Sequence, residues 1–446
     1  MKISINRREF LRTTAAVGTA LYIAPEVLAQ TGNDGTINVA LLGAGAQGQV
    51  LLDSCLKMPN IRFKAVCDIW KLYNQKRVSG ILRAYKQEHN TYEDYRQMLD
   101  KEKEHLDAVI VATPDFWHSE HTVACLEAGL HVYCEKEMSN TLEGAKKMVE
   151  AARKTGKLLQ IGHQRRSNPR YIYCCDKIIK EAKLLNRITT VNGQWNRSRA
   201  ACEDLGWGGP KLAIDDATLG KYGFKSMAQF RNWRWYKGLG GGPIVDLGSH
   251  QIDIYNWFLD AQPKSVMAGG GTDYWKEHEW YDDVMATYEY ETKDGVVRAF
   301  YQTLTTNSSQ GYFETFMGDE GTLLISEAAA RTALYRESWV DAEKWTPWVK
   351  KGIIKDIVAA AEPKKSAAAV MDTRESLVPP KYEIPVTMDK AFHYPHLENF
   401  FDAIRGKAKL NCPAEAGYET AVTVLKVNQA VAAGSKLEFK PEDFKV

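Results

Sequence analysis

Gly43-Ala44-Gly45-Ala46-Gln47-Gly48 is a G-x-G-x-x-G run between an apolar stretch, Ile37–Leu42, and a helical pattern that reaches about Lys57. The motif alone is weak, but in this context it has a clear chemistry. The glycines permit a tight turn and close approach to a pyrophosphate, while the N–H groups of the helix start point at the anion. Asp68 stands 20 residues after Gly48, at the end of a second apolar run, where a carboxylate accepts ribose hydroxyl hydrogen bonds. Ile69-Trp70 follow with no adjacent arginine for a 2′-phosphate, so NAD is favoured; nearby Lys71 keeps NADP open. A second grouping lies far along the chain. Asp246 and His250 are four apart, after Gly240-Gly241-Gly242-Pro243, and Asp253 is three further on. On a helix these share one face. Oxidising a secondary alcohol requires a group to take the hydroxyl proton, and a histidine with a pKa near 7 suits that task.

Alternating strands and helices must position the first grouping. Short apolar runs at Ile37–Leu42, Phe63–Asp68, Ala108–Ala112, His131–Cys134 and Leu158–Ile161 read as buried strands. Amphipathic helices fit between them, at about Lys71–Glu88, His118–Ala128 and Leu142–Thr155. This alternation predicts a doubly wound parallel sheet, an NAD-binding Rossmann domain over 35–165. From 166 to 446 the pattern changes. Arg187–Trp195, Val284–Tyr290, Val296–Leu304, Tyr312–Met317 and Thr322–Ile325 read as strands of a mainly antiparallel sheet in a C-terminal α/β domain. Stretches 198–230 and 327–390 read as loops or insertions, and His393–Ile404 and Ala414–Ala432 as closing helices.

Composition narrows the class. With 44% hydrophobic and 26% charged residues, the 446-residue chain is an ordinary folded protein of two or three domains. Its net charge of +2 gives no field to gather nucleic acid. The eight cysteines form no C-x-x-C pair and no metal motif. Asn6-Arg7-Arg8-Glu9-Phe10-Leu11-Arg12 precedes an uncharged stretch and Val27-Leu28-Ala29, which reads as a twin-arginine export signal over 1–29, so the folded protein is expected in the periplasm or otherwise exported by that route. No later stretch is apolar enough to span a membrane.

Ala112-Thr113-Pro114-Asp115-Phe116-Trp117-His118, Cys134-Glu135-Lys136-Glu137 and Asp246-Leu247-Gly248-Ser249-His250 follow the glycine loop in order. With that loop they resemble the Gfo/Idh/MocA oxidoreductases, from about Ile37 to the last helix. The resemblance implies a Rossmann domain joined to a C-terminal domain whose open sheet often mediates homo-oligomers, and hydroxyl–carbonyl interconversion on sugars and polyols. Gly43, Gly45 and Gly48, with Ala46 and Gln47, match the phosphate loop, and Asp68 the ribose acid. Thr113, Pro114 and His118 match the loop passing the cofactor. Glu135 and Lys136 match the E-K-P motif, and Asp246 and His250 the D-x-x-x-H pair. Glu137 departs from the pattern, replacing a proline that often forms a cis peptide; a glutamate pays ~3 kcal/mol for that geometry. Its carboxylate is then available to pair with Lys136 or to touch substrate.

His250 is thus expected as proton acceptor and donor, Lys136 as donor to the developing oxyanion, and Asp246 as the group that orients ring or substrate. His163 and Arg165, after a strand end, are substrate contacts or surface loop, and Asp253 continues the catalytic face. Trp195, Trp233 and Trp235 stack on sugar faces or pack the strands. His118 and His121 lack further ligands, so no metal is expected. Export adds a constraint. Free NAD is not expected to be plentiful outside the cytoplasm, so the cofactor must stay bound and be recycled. A dehydrogenase achieves this by a ping-pong reaction. The alternative is a redox-neutral glycosidase that oxidises, eliminates, hydrates and re-reduces one substrate. A third reading is a non-catalytic sugar-binding protein, which would have no need of Lys136, Asp246 and His250.

Overall fold

The computed structural model describes residues 35–357 and 379–446; the expected signal segment and part of the 327–390 stretch lie outside them. Six strands, Ile37–Leu42 (β1), Ile61–Cys67 (β2), Asn90–Tyr92 (β3), Ala108–Val111 (β4), His131–Cys134 (β5) and Leu159–Ile161 (β6), form one sheet in the order β3-β2-β1-β4-β5-β6. Every pairing in it is parallel. β4 is buried along its whole length, as a central strand covered on both faces must be, which is why it reads as an unbroken apolar run. Helices Ala46–Leu56 (α1), Lys76–Ala84 (α2), Tyr95–Glu102 (α3), Asp115–Glu127 (α4) and Leu142–Thr155 (α5) connect the strands. Strand order reverses between β1 and β4, so the crevice for a ligand opens at the carboxyl ends of these two strands. Two details escaped the pattern. Asn-Thr-Tyr of β3 is too short and polar to read as a strand. The helix expected from Lys71 begins with a π turn, Lys71–Gln75, before α2.

The second sheet has ten strands. It contains Ile188–Asn196 (β7), Pro263–Gly271 (β8), Asp283–Thr292 (β9), Gly295–Leu304 (β10), Tyr312–Gly318 (β11), Gly321–Ile325 (β12), Ala333–Arg336 (β13), Lys355–Asp356 (β14), Lys381–Glu383 (β15) and Leu437–Glu438 (β16). The order is β14-β15-β13-β12-β11-β7-β10-β9-β8-β16, antiparallel throughout except for β7 beside β10. The glycine-rich end of β8 hid its alternation, and β13, β14 and β15 come from a stretch expected to be irregular.

Helix Ser249–Leu259 (α6) lies nearly wholly buried between the two sheets' territories. Helix Tyr394–Ile404 (α7) crosses the frontier drawn at 165/166: its Leu397, Phe400 and Phe401 join Val39, Leu41 and Leu52 in the Rossmann core. Ala414–Ala433 (α8) packs against α5 on one side and β8 on the other. The expected loop 198–230 has structure of its own. It carries short helices Asp216–Lys221 and Met227–Arg231, and Ile214, Leu219, Phe224 and Met227 cluster with Trp70 of the Rossmann domain.

Candidate active site

The β1–α1 turn needs its glycines for three different reasons. Gly43 has φ +97, and a Cβ there would lie 2.5 Å from the Ala112 carbonyl oxygen. A Cβ on Gly48 would meet the Gly43 oxygen at 2.0 Å, so Gly48 presses the helix onto the turn and does not line the cavity, correcting its expected place as a direct cofactor contact. Gly45 precedes α1, a Cβ there would meet nothing nearer than Asn74 Nδ2 at 3.9 Å, and it offers no side-chain cap to the first-turn N–H groups. An open backbone cradle at a helix start is the shape a pyrophosphate requires.

Asp68 closes the other side of this cradle. It accepts hydrogen bonds from the backbone N–H of Ala44 and of Trp70, both at 2.7 Å, and from Asn74 Nδ2. Burial raises its pKa against the pull of these donors. A carboxylate has about four acceptor sites, so a ribose hydroxyl can still be added. Lys71 is turned to Glu93 at 2.5 Å.

A cavity of about 530 Å³ runs from this cradle to the C-terminal domain. Gly43, Gly45, Ala46, Gln47, Asp68, Thr113, Pro114, Glu135 and Lys136 line one side; Trp195, Trp233, Trp235, Asp246 and His250 line the other. Two distant groupings of the sequence thus meet in one space. His118 also borders it, but its Nδ1 lies 2.7 Å from the Glu137 carbonyl and its Nε2 2.7 Å from that of Thr113. A neutral His118 ring donates to only one of these two carbonyls; it packs between the Thr113 loop and the Lys136 loop while bordering the cavity. Burial drives its pKa down to about 4 even though both carbonyls favour the charged ring.

The Lys136–Glu137 peptide is cis, as in the proline-containing pattern. Glu137 neither pairs with Lys136 nor reaches the cavity: it is buried, accepts from the Met138 N–H, and burial pushes its pKa to about 8. Lys136 Nζ instead donates to the Asp246 main-chain carbonyl at 2.6 Å and lies 3.5 Å from Asp246 Oδ1.

Asp246 sits in a π turn, Ile244–Gly248, that leads into α6. Arg234 Nε donates to its Oδ1 at 2.9 Å and Arg197 Nη1 to its Oδ2 at 3.2 Å. Burial opposes its ionisation, but Arg234, Lys136 and Arg197 together outweigh that and hold it well below the usual carboxylate range. Asp246 is therefore a fixed anion, not a proton carrier. His250 borders the cavity with its ring 5.3 Å from that of Trp195 and its Nδ1 buried without a partner. Burial, and then Lys136 and Arg165, push its pKa well below the ordinary histidine value. In place of a group titrating near 7, the folded site holds a neutral imidazole whose surroundings disfavour the protonated form.

Three expected substrate contacts lie behind this wall. Arg165 is 1% exposed and paired with Glu314 and Glu327. Asp253 accepts from Arg166 Nε at 2.8 Å and Thr420 Oγ1 at 2.8 Å. His163 is buried with both ring nitrogens unpartnered, 4.0 Å from Asp253. Asp253 ties α6 to the turn after β6 and to α8, Arg165 ties that turn to β11, and none of the three lines the cavity. The residues missed were Arg197 and Arg234, Asp115, and His393, whose Nε2 meets Gln47 Nε2 at 3.0 Å. Asp115 stands at the start of α4, where burial pushes its pKa to about 7. It lies inside the quoted Ala112–His118 motif, so its place was legible although its role was not. Nothing in sequence tied Arg197, Arg234 or His393 to the site. Among the described residues no group of side chains is arranged to hold a metal ion.

The stretch after β7 roofs the cavity. Trp70 Nε1 donates to the Leu212 carbonyl at 2.6 Å, and Trp117 Nε1 to that of Tyr222 at 3.2 Å. Tyr222 and Phe224 line the cavity from above the β2 and β4 loops, and Arg231 lies over the Trp70 ring at 5.2 Å.

Comparison with known proteins gives the same picture. Residues 37–163 match the family described as an oxidoreductase family with an NAD-binding Rossmann fold, and residues 217–324 match the GFO/IDH/MocA C-terminal domain. A scyllo-inositol 2-dehydrogenase (NADP(+)) of Bacillus subtilis is 29% identical over 243 residues, 52% of this chain and 54% of that protein. A D-glucoside 3-dehydrogenase of Escherichia coli is 28% identical over 225 residues, 50% of this chain and 54% of that protein. The chain spans about half the length of the curated relatives it matches. A levoglucosan dehydrogenase solved with NADH and levoglucosan has the same fold, with a TM-score of 0.66 at 17% identity over 91% of this chain and 99% of that one. Two models of one family account for more than half of the residues in the order the site requires, and the chain belongs to the Gfo/Idh/MocA oxidoreductase family.

Proposed function

We propose that the protein is an NAD-dependent oxidoreductase that interconverts a hydroxyl and a carbonyl group on a sugar, polyol or glycoside. One observation carries this reading: Lys136 and the Asp246–His250 pair, from two widely separated parts of the chain, border the cavity that begins at the glycine cradle. A bound nicotinamide would supply the hydride acceptor. Lys136 donates to the substrate oxygen and stabilises its developing negative charge. His250, neutral and bordering the same space, takes the hydroxyl proton and returns it in the reverse direction. Asp246 holds Lys136 and the two arginines in register. Gly43, Gly45 and the start of α1 hold the pyrophosphate, and Asp68 the ribose.

The roof formed by 205–236 favours a cofactor that stays in place and is recycled on each turnover, as export through the twin-arginine signal demands. NADP stays an alternative, since Arg231 of the roof lies near the Asp68 end of the cavity. Met267, Met285 and Val296 are exposed on one face of β8–β10 and support assembly into a homo-oligomer. Among the described residues no helix is long and apolar enough to cross a membrane.

The test uses protein purified from the periplasm with its cofactor, mixed with sugars and glycosides. Accumulation of reduced nicotinamide identifies the dehydrogenase. Aglycone release without net reduction identifies the redox-neutral glycosidase, and neither signal identifies a binding protein. Arg7→Lys with Arg8→Lys should trap the precursor in the cytoplasm; normal periplasmic levels of that variant would remove the export assignment.

A further inference from the structure

We propose that the wall of the cavity around Asp246 is a carboxylate-binding subsite formed by Arg234 and Arg197, so that the preferred substrate is an acidic sugar, a uronic acid or a sugar acid. The inference rests on the oxidoreductase reading for the word substrate, but the subsite itself stands on geometry. Three cations, Arg234, Arg197 and Lys136, surround one carboxylate, with contacts to Asp246 of 2.9, 3.2 and 3.5 Å. At contact distance one anion faces three cations; Asp115 and Glu135 act on Arg234 only from further off. Arg234 spends only Nε on Asp246 and Arg197 only Nη1, and no described residue accepts from the terminal nitrogens of Arg234. These side chains stay 36% and 33% accessible while Asp246 and Lys136 are only 10% and 12% accessible. Their free edges therefore belong to the cavity that both residues line. Each guanidinium is backed by an indole, Arg234 by Trp233 at 4.3 Å and Arg197 by Trp195 at 5.5 Å, which limits how far it can swing.

The chemistry of the free edge selects the ligand. Both oxygens of Asp246 already accept from the arginines, so this patch presents donors. A sugar hydroxyl can accept from these donors but also brings an O–H of its own, for which this patch offers no free acceptor. A carboxylate only accepts, and its two oxygens match the planar fork of a guanidinium. The other carboxylates near the arginines, Asp115 and Glu135, stand on Rossmann elements, and Glu135 is already bonded to Gln47 and to the Lys136 N–H.

Calorimetry on the cofactor-loaded protein would compare acid and neutral partners that differ only at C6: glucuronate with glucose, galacturonate with galactose, mannuronate with mannose. At least one acid should bind about tenfold or more tightly than its neutral partner, a preference that shrinks with added salt. Arg234→Gln should erase that preference and leave NAD affinity unchanged. Arg234→Lys, which keeps the charge and loses the fork, should restore only part of it and guards against misfolding of the glutamine variant. No acid preferred in any pair, or a preference that survives Arg234→Gln, overturns the subsite. Reduction of the bound nicotinamide is read separately. Acid preference without hydride transfer retains the subsite and defeats the oxidoreductase reading; transfer from a neutral sugar without acid preference does the reverse.

Discussion

The Rossmann wall of the cavity and the wall supplied by residues 195–250 are built in different ways. On the Rossmann side each contributing residue lies within a few positions of a strand end: Gly43 and Gly45 after β1, Asp68 after β2, Thr113 and Pro114 after β4, Lys136 after β5. Backbone geometry does most of the shaping there, through a positive-φ glycine, an open helix start and a cis peptide. The facing wall is made of long side chains that hold one another. Arg197 follows β7, Arg234 lies in a single helical turn, Asp246 in a π turn and His250 on α6, and their alignment depends on ion pairs across 49 and 12 residues of chain. The first kind of wall suits a ligand common to a whole family. The second can change with each substitution, which suits recognition of a particular substrate.

The sharpest way to break this comparison is to remove a chemical group from the second wall. His250→Ala should lower single-turnover hydride transfer by roughly 10²–10⁴-fold while NAD affinity stays the same. A rate within a few-fold of the parent would take His250 out of the mechanism and move attention to Lys136.

Next in size is a pH effect beneath the first wall. Glu137 is protonated in the folded protein up to about pH 8, whereas an unfolded glutamate titrates near 4.5. The folded state therefore binds the proton more tightly. Its contribution to stability is full below about 4.5, declines as pH rises, and is gone once pH passes about 8. Over that window the loss is on the order of a few kcal/mol. Thermal unfolding between pH 5 and 8 should show a falling Tm in the parent and a flatter profile in Glu137→Gln. Parallel profiles would show that Glu137 does not carry this titration.

Asp68→Ala tests the cradle itself. Loss of a charge-assisted hydrogen bond worth ~1.5–3 kcal/mol should weaken NAD binding by roughly ten- to over a hundredfold. Because Asp68 also accepts from Ala44 and Trp70, Asp68→Asn should keep more of the loop and lose less. Equal NAD affinity in both variants and the parent, measured by calorimetry, would remove Asp68 from the site.

The smallest effect concerns the roof. Trp70→Phe keeps a ring but deletes the hydrogen bond to the Leu212 carbonyl. A neutral hydrogen bond contributes ~1 kcal/mol, so release of bound NADH, followed by its fluorescence, should speed up by about fivefold. An unchanged release rate would mean that the roof does not retain the cofactor.

Much of the first wall was readable from the chain because its signals are local. G-x-G-x-x-G between a strand and a helix, and an acid at the next strand end, are statements about neighbours in sequence. The same locality explains the small errors. Asn90–Tyr92 is three residues long, and Gly48, next to Gly45 in the motif, serves packing and not the ligand. In the second wall, Asp246 and His250 were legible from a short motif, and Trp233 from its type. Arg165, Asp253 and His163 looked equally eligible, since a charged or titratable residue after a strand end carries no mark of which way it will face.

The sequence by itself determined that the first sheet is parallel and the second mainly antiparallel, though not every strand of either, together with the cofactor cradle and, through the family motifs, Lys136, Asp246 and His250. Hydrophobic period and turn chemistry are encoded residue by residue, so these needed no long-range knowledge. Only the tertiary structure decided that Arg165 faces Glu314 while Arg234 faces the cavity, that Asp246 is clamped as an anion, and that His250 is neutral. It also decided that 205–236 is a roof and that α7 returns to the first core. Orientation, burial and charge state are set by which distant groups share a low-dielectric space, and that is fixed only when the chain has folded.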